Sequence, residues 1–222
     1  MIKAVIFDLD NTLIDFLKMK RIACSEAIDA MIDAGLKIRK EKALKELYSL
    51  YGVFGIEHQK IFQKFLKKVS GRIDYRILAC GINAYRRVKE GFLAPYPGVK
   101  ETLIKLKEKK LKLAVVTDAP RIQAWLRLTA MKLDDFFDAV VALDSRKKQK
   151  PSRLPFEAAM KKLKVHASEC LMVGDNPDRD IKGAKALGMK TCLARYGLTY
   201  KAGREKADFE IKDIGELVGK IE

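Results

Sequence analysis

Seven residues of this chain have side chains that could do chemistry together, and they fall into four short groups. Asp8 and Asp10 stand one residue apart after the apolar run 2–7, with Asn11 and Thr12 following. Thr117 and Asp118 close a second apolar run, Lys150 comes just before Pro151 and shortly after a third, and Asp175 and Asp180 follow a fourth. Two acids held close together repel unless a cation, a proton or hydrogen bonds offset them. The first pair therefore points to a divalent metal, to a nucleophile with an acid/base partner, or to both. A single Asp-x-Asp is also an ordinary acidic turn, since Asp and Asn are common turn residues. The hydroxyl, the cation and the second acidic pair, each after a further apolar run, weigh in favour of chemistry.

Such groups need a scaffold that brings them to one place. Residues 2–7 are aliphatic and β-branched with almost no polar content, which predicts a strand covered on both faces, as in a parallel sheet. Open α/β sheets place their ligands outside the carboxyl ends of the strands, where all four groups fall. Further strands are expected at 111–117, 139–143 and 170–173, with weaker ones at 190–194 and 209–211. Helices are expected at 98–109, 120–131, around 156–163, at 178–187 and at 213–221. Strands alternating with helices imply right-handed crossovers and a doubly wound, Rossmann-like parallel sheet. Between the first two strands the period is helical throughout, over 18–34, 39–51, 57–69 and 73–90. Gly35, Gly52, Gly55, Gly71 and Gly91 punctuate these segments. The expected organisation is thus an α/β core of residues 1–15 and 93–222, interrupted by an all-helical insertion at 16–92. Pro95-Tyr96-Pro97-Gly98 marks the return to the core.

The order carboxylate pair, hydroxyl, lysine, carboxylate pair resembles the four motifs of the haloacid-dehalogenase-like hydrolase superfamily, over essentially the whole chain. The pattern is most similar to the phosphoglycolate-phosphatase-like group, whose helical insertion is a cap domain. The resemblance implies a phosphatase acting on a small phosphorylated metabolite through an aspartyl-phosphate. Asp8 is then the nucleophile. Asp10 is the general acid and base, with its main-chain carbonyl facing the metal. Thr117 binds a phosphoryl oxygen, and Asp118, standing where many relatives have asparagine, is a substrate-binding residue beside it. Lys150 neutralises the nucleophile and the transferring group, Lys147 and Lys148 being nearby alternatives. Asp175 binds the metal with Asp8, and Asp180 ligates it or orients its ligands. Hard carboxylate and carbonyl oxygens suit Mg²⁺. Dehalogenating members lack the second aspartate of the first motif, so Asp10 argues for phosphoryl transfer. A phosphomutase or dehalogenase of the same superfamily is the alternative enzyme. A non-catalytic phospho-accepting or nucleic-acid-binding domain is the alternative from another class.

Composition narrows the rest. A chain of 222 residues can bury a full core. No run approaches the roughly 18 apolar residues of a membrane span, and the first residues do not read as a signal peptide. A cytoplasmic protein without a membrane partner is expected. Cys24, Cys80, Cys170 and Cys192 are scattered, which speaks against a disulfide or metal role. The net charge of +16 is spread along many amphipathic segments, so a solvated basic surface is expected and nucleic acid is not the expected partner. Abundant Lys and Glu beside few Asn and Gln is a balance found in thermophile proteins. Lys18, Lys20, Arg21, Arg86 and Arg87 are read as solvated helix charges, His58 and His166 as surface or structural residues, and the chain as a monomer or homodimer.

Overall fold

The computed structural model describes residues 1–143, 149–198 and 205–221. The chain divides into two compact units, Met1–Phe16 with Ala94–Glu222, and Leu17–Leu93. Lys147 and Lys148 lie outside the described residues.

The first unit is built on a six-stranded parallel sheet in the order β3-β2-β1-β4-β5-β6. Its strands are β1 (Ala4–Phe7), β2 (Lys112–Pro120), β3 (Ala139–Leu143), β4 (Cys170–Gly174), β5 (Lys190–Ala194) and β6 (Phe209–Ile211). Every residue of β1 is fully buried, because the strand is central and both its faces are covered. Ala4 and Ile6 pack with Ala114, Val116, Cys170 and Met172 against Phe156, Ala159 and Leu163. On the opposite face, Phe7 meets Phe137 edge to face. At roughly 25 cal/mol per Å² of apolar surface, this two-sided burial is the main stabilising term of the unit. The chain first winds outward from β1 to β3 and then returns to the other side of β1. Phe7 is in register with Val115 on one side and Val173 on the other. Asp8 therefore leaves β1 at the switch point of the sheet, where ligand crevices form.

Helices α5 (Val99–Glu108), α6 (Arg121–Ala130), α7 (Arg153–Leu163) and the short α8 (Lys182–Lys185) connect these strands. Three local expectations differ from what forms. Strand β2 runs on to Pro120, which pairs with Leu143 across an irregularity and stands before α6 instead of inside it. The helix expected at 178–187 opens as a π-helical turn, Pro177–Ile181, before α8. The helix expected at 213–221 is a 3₁₀ segment, Ile214–Lys220, capped by Asp213, in keeping with the low helix propensity of Gly215 and Gly219.

The second unit is all helical, with α1 (Phe16–Asp33, whose first residue belongs to the core unit), α2 (Lys40–Phe54), α3 (Ile61–Ser70) and α4 (Tyr75–Gly91). Ala27, Ile28 and Met31 of α1 pack with Leu47, Phe65 and Leu78 of the other three helices. Asp74 caps α4 by accepting from the main-chain N–H groups of Arg76 and Ile77. Gly52 stands inside α2 and does not end it. Lys20 is not solvated: it is 6% exposed, its Nζ donates to the Tyr85 hydroxyl at 2.8 Å, and it lies over the Tyr51 ring at 4.5 Å. Lys18, Arg21, Arg86 and Arg87 are exposed, as expected of helix charges. Among the described residues no helix is long and apolar enough to cross a membrane.

Candidate active site

Strand ends bring the four sequence groups together. Asp8 follows β1, Thr117 and Asp118 lie late in β2, and Asp175 follows β4. Lys150 comes from the segment before α7, and Asp180 from the π-helical turn. The turn is held by Asn176, whose Oδ1 accepts from the N–H groups of Asp178 and Arg179. Asp180 in turn accepts from the Asn176 N–H at 3.0 Å. Gly174 makes room for this: a Cβ there would stand 2.4 Å from Asp180 Cγ, so no larger residue allows the carboxylate its place.

Asp8, Asp175 and Asp180 each offer an oxygen within 4.8 Å of the others, and all three residues are buried. Lys150 Nζ lies 2.6 Å from Asp8 Oδ1, 2.6 Å from Asp180 Oδ1 and 3.1 Å from the Val116 carbonyl. Burial alone would discharge this lysine, but the carboxylates of Asp180, Asp8 and Asp118 outweigh it and hold the ammonium charged. The acids respond in the opposite sense. Burial pushes Asp8 up against the pull of Lys150. Burial and the charges of Asp8 and Asp180 push Asp175 up to about 9. Burial raises Asp180 to about 6, again opposed by Lys150.

Three carboxylates facing one ammonium leave an excess of buried negative charge, and buried charge is costly unless it is compensated. A divalent cation with a preference for hard oxygen ligands would supply that compensation, so the donor set fits Mg²⁺. Asp10 is not part of this cluster. Its Oδ2 accepts from Arg127 Nη1 at 2.7 Å, whereas the metal role expected of it involves its main-chain oxygen. Thr117 is 3% exposed, and its Oγ1 accepts from the Ala119 N–H at 3.1 Å. Asp118 is engaged within the protein, through Oδ1 to the Lys150 N–H at 3.0 Å and through Oδ2 to Arg179 at 2.5 Å.

Sequence reasoning missed several residues that shape this site. Arg127 is 1% exposed, although nothing but its place between Ala124 and Leu128 on the buried face of α6 signals it. Thr12 Oγ1 donates to Asp175 Oδ1 at 3.4 Å, and the Tyr196 hydroxyl donates to the Thr12 carbonyl at 2.8 Å. Gly197 approaches the loop after β1 so closely that a Cβ would stand 1.6 Å from the Asn11 oxygen. No local pattern marks Tyr196 or Gly197, because what they touch lies far away in the chain.

A doubly wound parallel sheet with a carboxylate trio and a buried lysine at its switch point defines an α/β enzyme site suited to metal-assisted chemistry. The model of the family described as haloacid dehalogenase-like hydrolase matches residues 5–194, and the chain belongs to that family. It is 39% identical to the glyceraldehyde 3-phosphate phosphatase of Methanocaldococcus jannaschii, over 98% of this chain and 96% of that one. The glyceraldehyde 3-phosphate phosphatase of Pyrococcus furiosus is 34% identical, over 100% of this chain and 93% of its own. Among solved structures, a hydrolase of this superfamily from Bacillus subtilis bound to magnesium shares the fold with a TM-score of 0.73. It is 22% identical, and the match covers 99% of this chain and 98% of that one.

Proposed function

We propose that this protein is a magnesium-dependent phosphatase that hydrolyses a small phosphate monoester through an aspartyl-phosphate on Asp8. The observation that carries the reading is the environment of Asp8. Its carboxylate is buried at the end of the central strand, paired with Lys150 at 2.6 Å and gathered with Asp175 and Asp180. Asp8, Asp175 and Asp180 are the residues to hold Mg²⁺, which when bound offsets the repulsion between an anionic aspartate and an anionic phosphate.

In the first half of the reaction an Asp8 oxygen attacks phosphorus and the bond to the leaving oxygen breaks. Asp10 gives that oxygen a proton. In the second half water attacks the aspartyl-phosphate, Asp10 takes the water's proton, and the bond from phosphorus to Asp8 breaks, releasing phosphate. Lys150 and Thr117 bind the phosphoryl oxygens, and Lys150 stabilises charge that develops during transfer. Asp118 contributes by holding the Lys150 main chain and Arg179 in place. The relatives named above make glyceraldehyde 3-phosphate the first substrate to test. Residues 17–93 are assigned the cap role and the discrimination among substrates.

The test is turnover of p-nitrophenyl phosphate and glyceraldehyde 3-phosphate with Mg²⁺, with EDTA, and by Asp8→Asn. The expected result is turnover that requires both the metal and Asp8. Undiminished activity in Asp8→Asn would sink the mechanism.

A further inference from the structure

We propose that Arg127 is a positioning residue that fixes Asp10 as the proton donor to the leaving group. The inference rests on the reading of Asp10 as general acid given above. Arg127 is 1% exposed, and a guanidinium that deep must be compensated. The compensation is specific. Nη1 meets Asp10 Oδ2 at 2.7 Å, and the guanidinium carbon lies 4.3 Å from the centre of the Phe16 ring. Carboxylate on one side and aromatic face on the other hold the planar group. Ala124 and Leu128, both fully buried, anchor the helix that carries it.

The consequence follows from donor and acceptor inventory. A guanidinium offers only donors, so the Asp10 oxygen it grips must accept and cannot carry the transferable proton. That proton is left to Oδ1. With Oδ2 held, the carboxyl group cannot turn about its Cβ–Cγ bond, and Oδ1 keeps one direction. As Asp8 bonds to phosphorus and the ester P–O bond breaks, the Oδ1 proton moves to the departing oxygen. As water attacks the aspartyl-phosphate, the same oxygen takes a proton back. Orientation of this kind is where a proton-transfer group draws much of its effect. Arg127 touches neither substrate nor metal in this account. It acts through Asp10.

A residue that merely holds the fold would affect all substrates alike, so the decisive readout is dependence on the leaving group. p-Nitrophenolate departs without a proton, whereas an alkoxide does not. Arg127→Met is expected to lower kcat about 100-fold on glycerol 1-phosphate and no more than about tenfold on p-nitrophenyl phosphate. The ratio of the two rates then shifts about tenfold, a fraction of the 10²–10⁴ range for proton-transfer catalysis. Asp10→Asn should shift the ratio in the same direction, and adding Arg127→Met to it should bring no further shift. Arg127→Lys, with one shorter ammonium in place of the planar fork, should shift the ratio severalfold less than Met but not leave it at the wild-type value. An Arg127→Met enzyme that melts near wild type and loses rate equally on both esters overturns the inference. Should that variant fail to fold, Arg127→Lys decides: a shifted ratio supports the role and an unshifted one overturns it. The phosphatase reading fails separately, if Asp8→Asn retains turnover. Loss of turnover in Asp8→Asn beside an unshifted ratio overturns the role of Arg127 alone.

Discussion

Lys150 and the glycines set the terms at the scale of single residues. The lysine is kept charged in a buried place because carboxylates surround it, and those carboxylates are tolerable there only with a cation near. Glycine enters where backbone must approach backbone. A Cβ on Gly197 would stand 1.6 Å from the Asn11 oxygen, whereas one on Gly52 meets nothing within 4 Å. Gly197→Ala should cost about 1–3 kcal/mol, the usual range for overpacking, and lower activity by displacing the loop that carries Asp10. Gly52→Ala, inside α2, should stabilise by about 0.5–1 kcal/mol through its better helix propensity. Urea denaturation of both variants checks the contrast, and a harmless Gly197→Ala would show that the two loops do not meet as described.

Two elements depart from regular geometry for reasons that can be named. Pro177–Ile181 winds as a π-helical turn, which aims the Asp180 carboxylate back at Gly174 and Lys150; such turns are often found at functional sites. At the sheet edge, β6 has three residues and is pinned by a side chain as well as by its ladder. Asp208 Oδ2 accepts from the Thr191 N–H at 2.8 Å and from its hydroxyl at 2.7 Å. Partial burial opposes ionisation of Asp208, but these Thr191 bonds outweigh it and hold the carboxyl below its usual range. The sign follows: a depressed carboxyl adds stability above the unfolded value of about 3.9 and loses it as pH falls through the folded value. Asp208→Asn should therefore cost about 0.5–1 kcal/mol at pH 7, and the difference from wild type should shrink below about pH 4. Urea titrations at pH 7 and pH 3.5 test this, and a penalty independent of pH would remove the carboxylate from the explanation.

The acid cluster sets how the whole molecule should respond to pH and, on the reading proposed above, to metal. Asp175 is raised to about 9, Asp180 to about 6, and Asp8 is also raised, burial being the first cause for each. The folded chain thus keeps protons that the unfolded chain has released, so without metal this site costs increasing stability as pH rises from about 4 to 9. On the reading proposed above, Mg²⁺ would compete with those protons and bind the folded state. The gain in Tm on adding Mg²⁺ should therefore grow from pH 5 to pH 8.5. Asp175→Asn should raise the metal-free Tm at pH 8.5 by at least about 2–4 °C, the shift that roughly 1 kcal/mol produces in a chain of this size. Thermal melts followed by circular dichroism read both effects, and a Tm indifferent to Mg²⁺ at every pH would remove the cluster as a metal site.

By itself the sequence determined the α/β class, most strand positions, the helical stretch after the first strand and the order of the chemical groups. Apolar periodicity, glycine punctuation and the placing of polar residues after strands are local properties, and they survive reading in one dimension. Element ends were less legible: Pro120 joins β2 because β3 pairs with it, and the turn at Pro177–Ile181 follows where Asp180 must point. Lys20 read as a surface charge, and only the packing of Tyr51 and Tyr85 around it shows otherwise. The partners of Asp10, Asp118 and Asp175 were likewise beyond reach of the linear pattern. Arg127 is 117 residues from Asp10, and Thr12 is 163 from Asp175. The tertiary structure decided these because burial, close approach and charge compensation depend on distances in space, which the winding of the sheet sets and residue spacing does not encode.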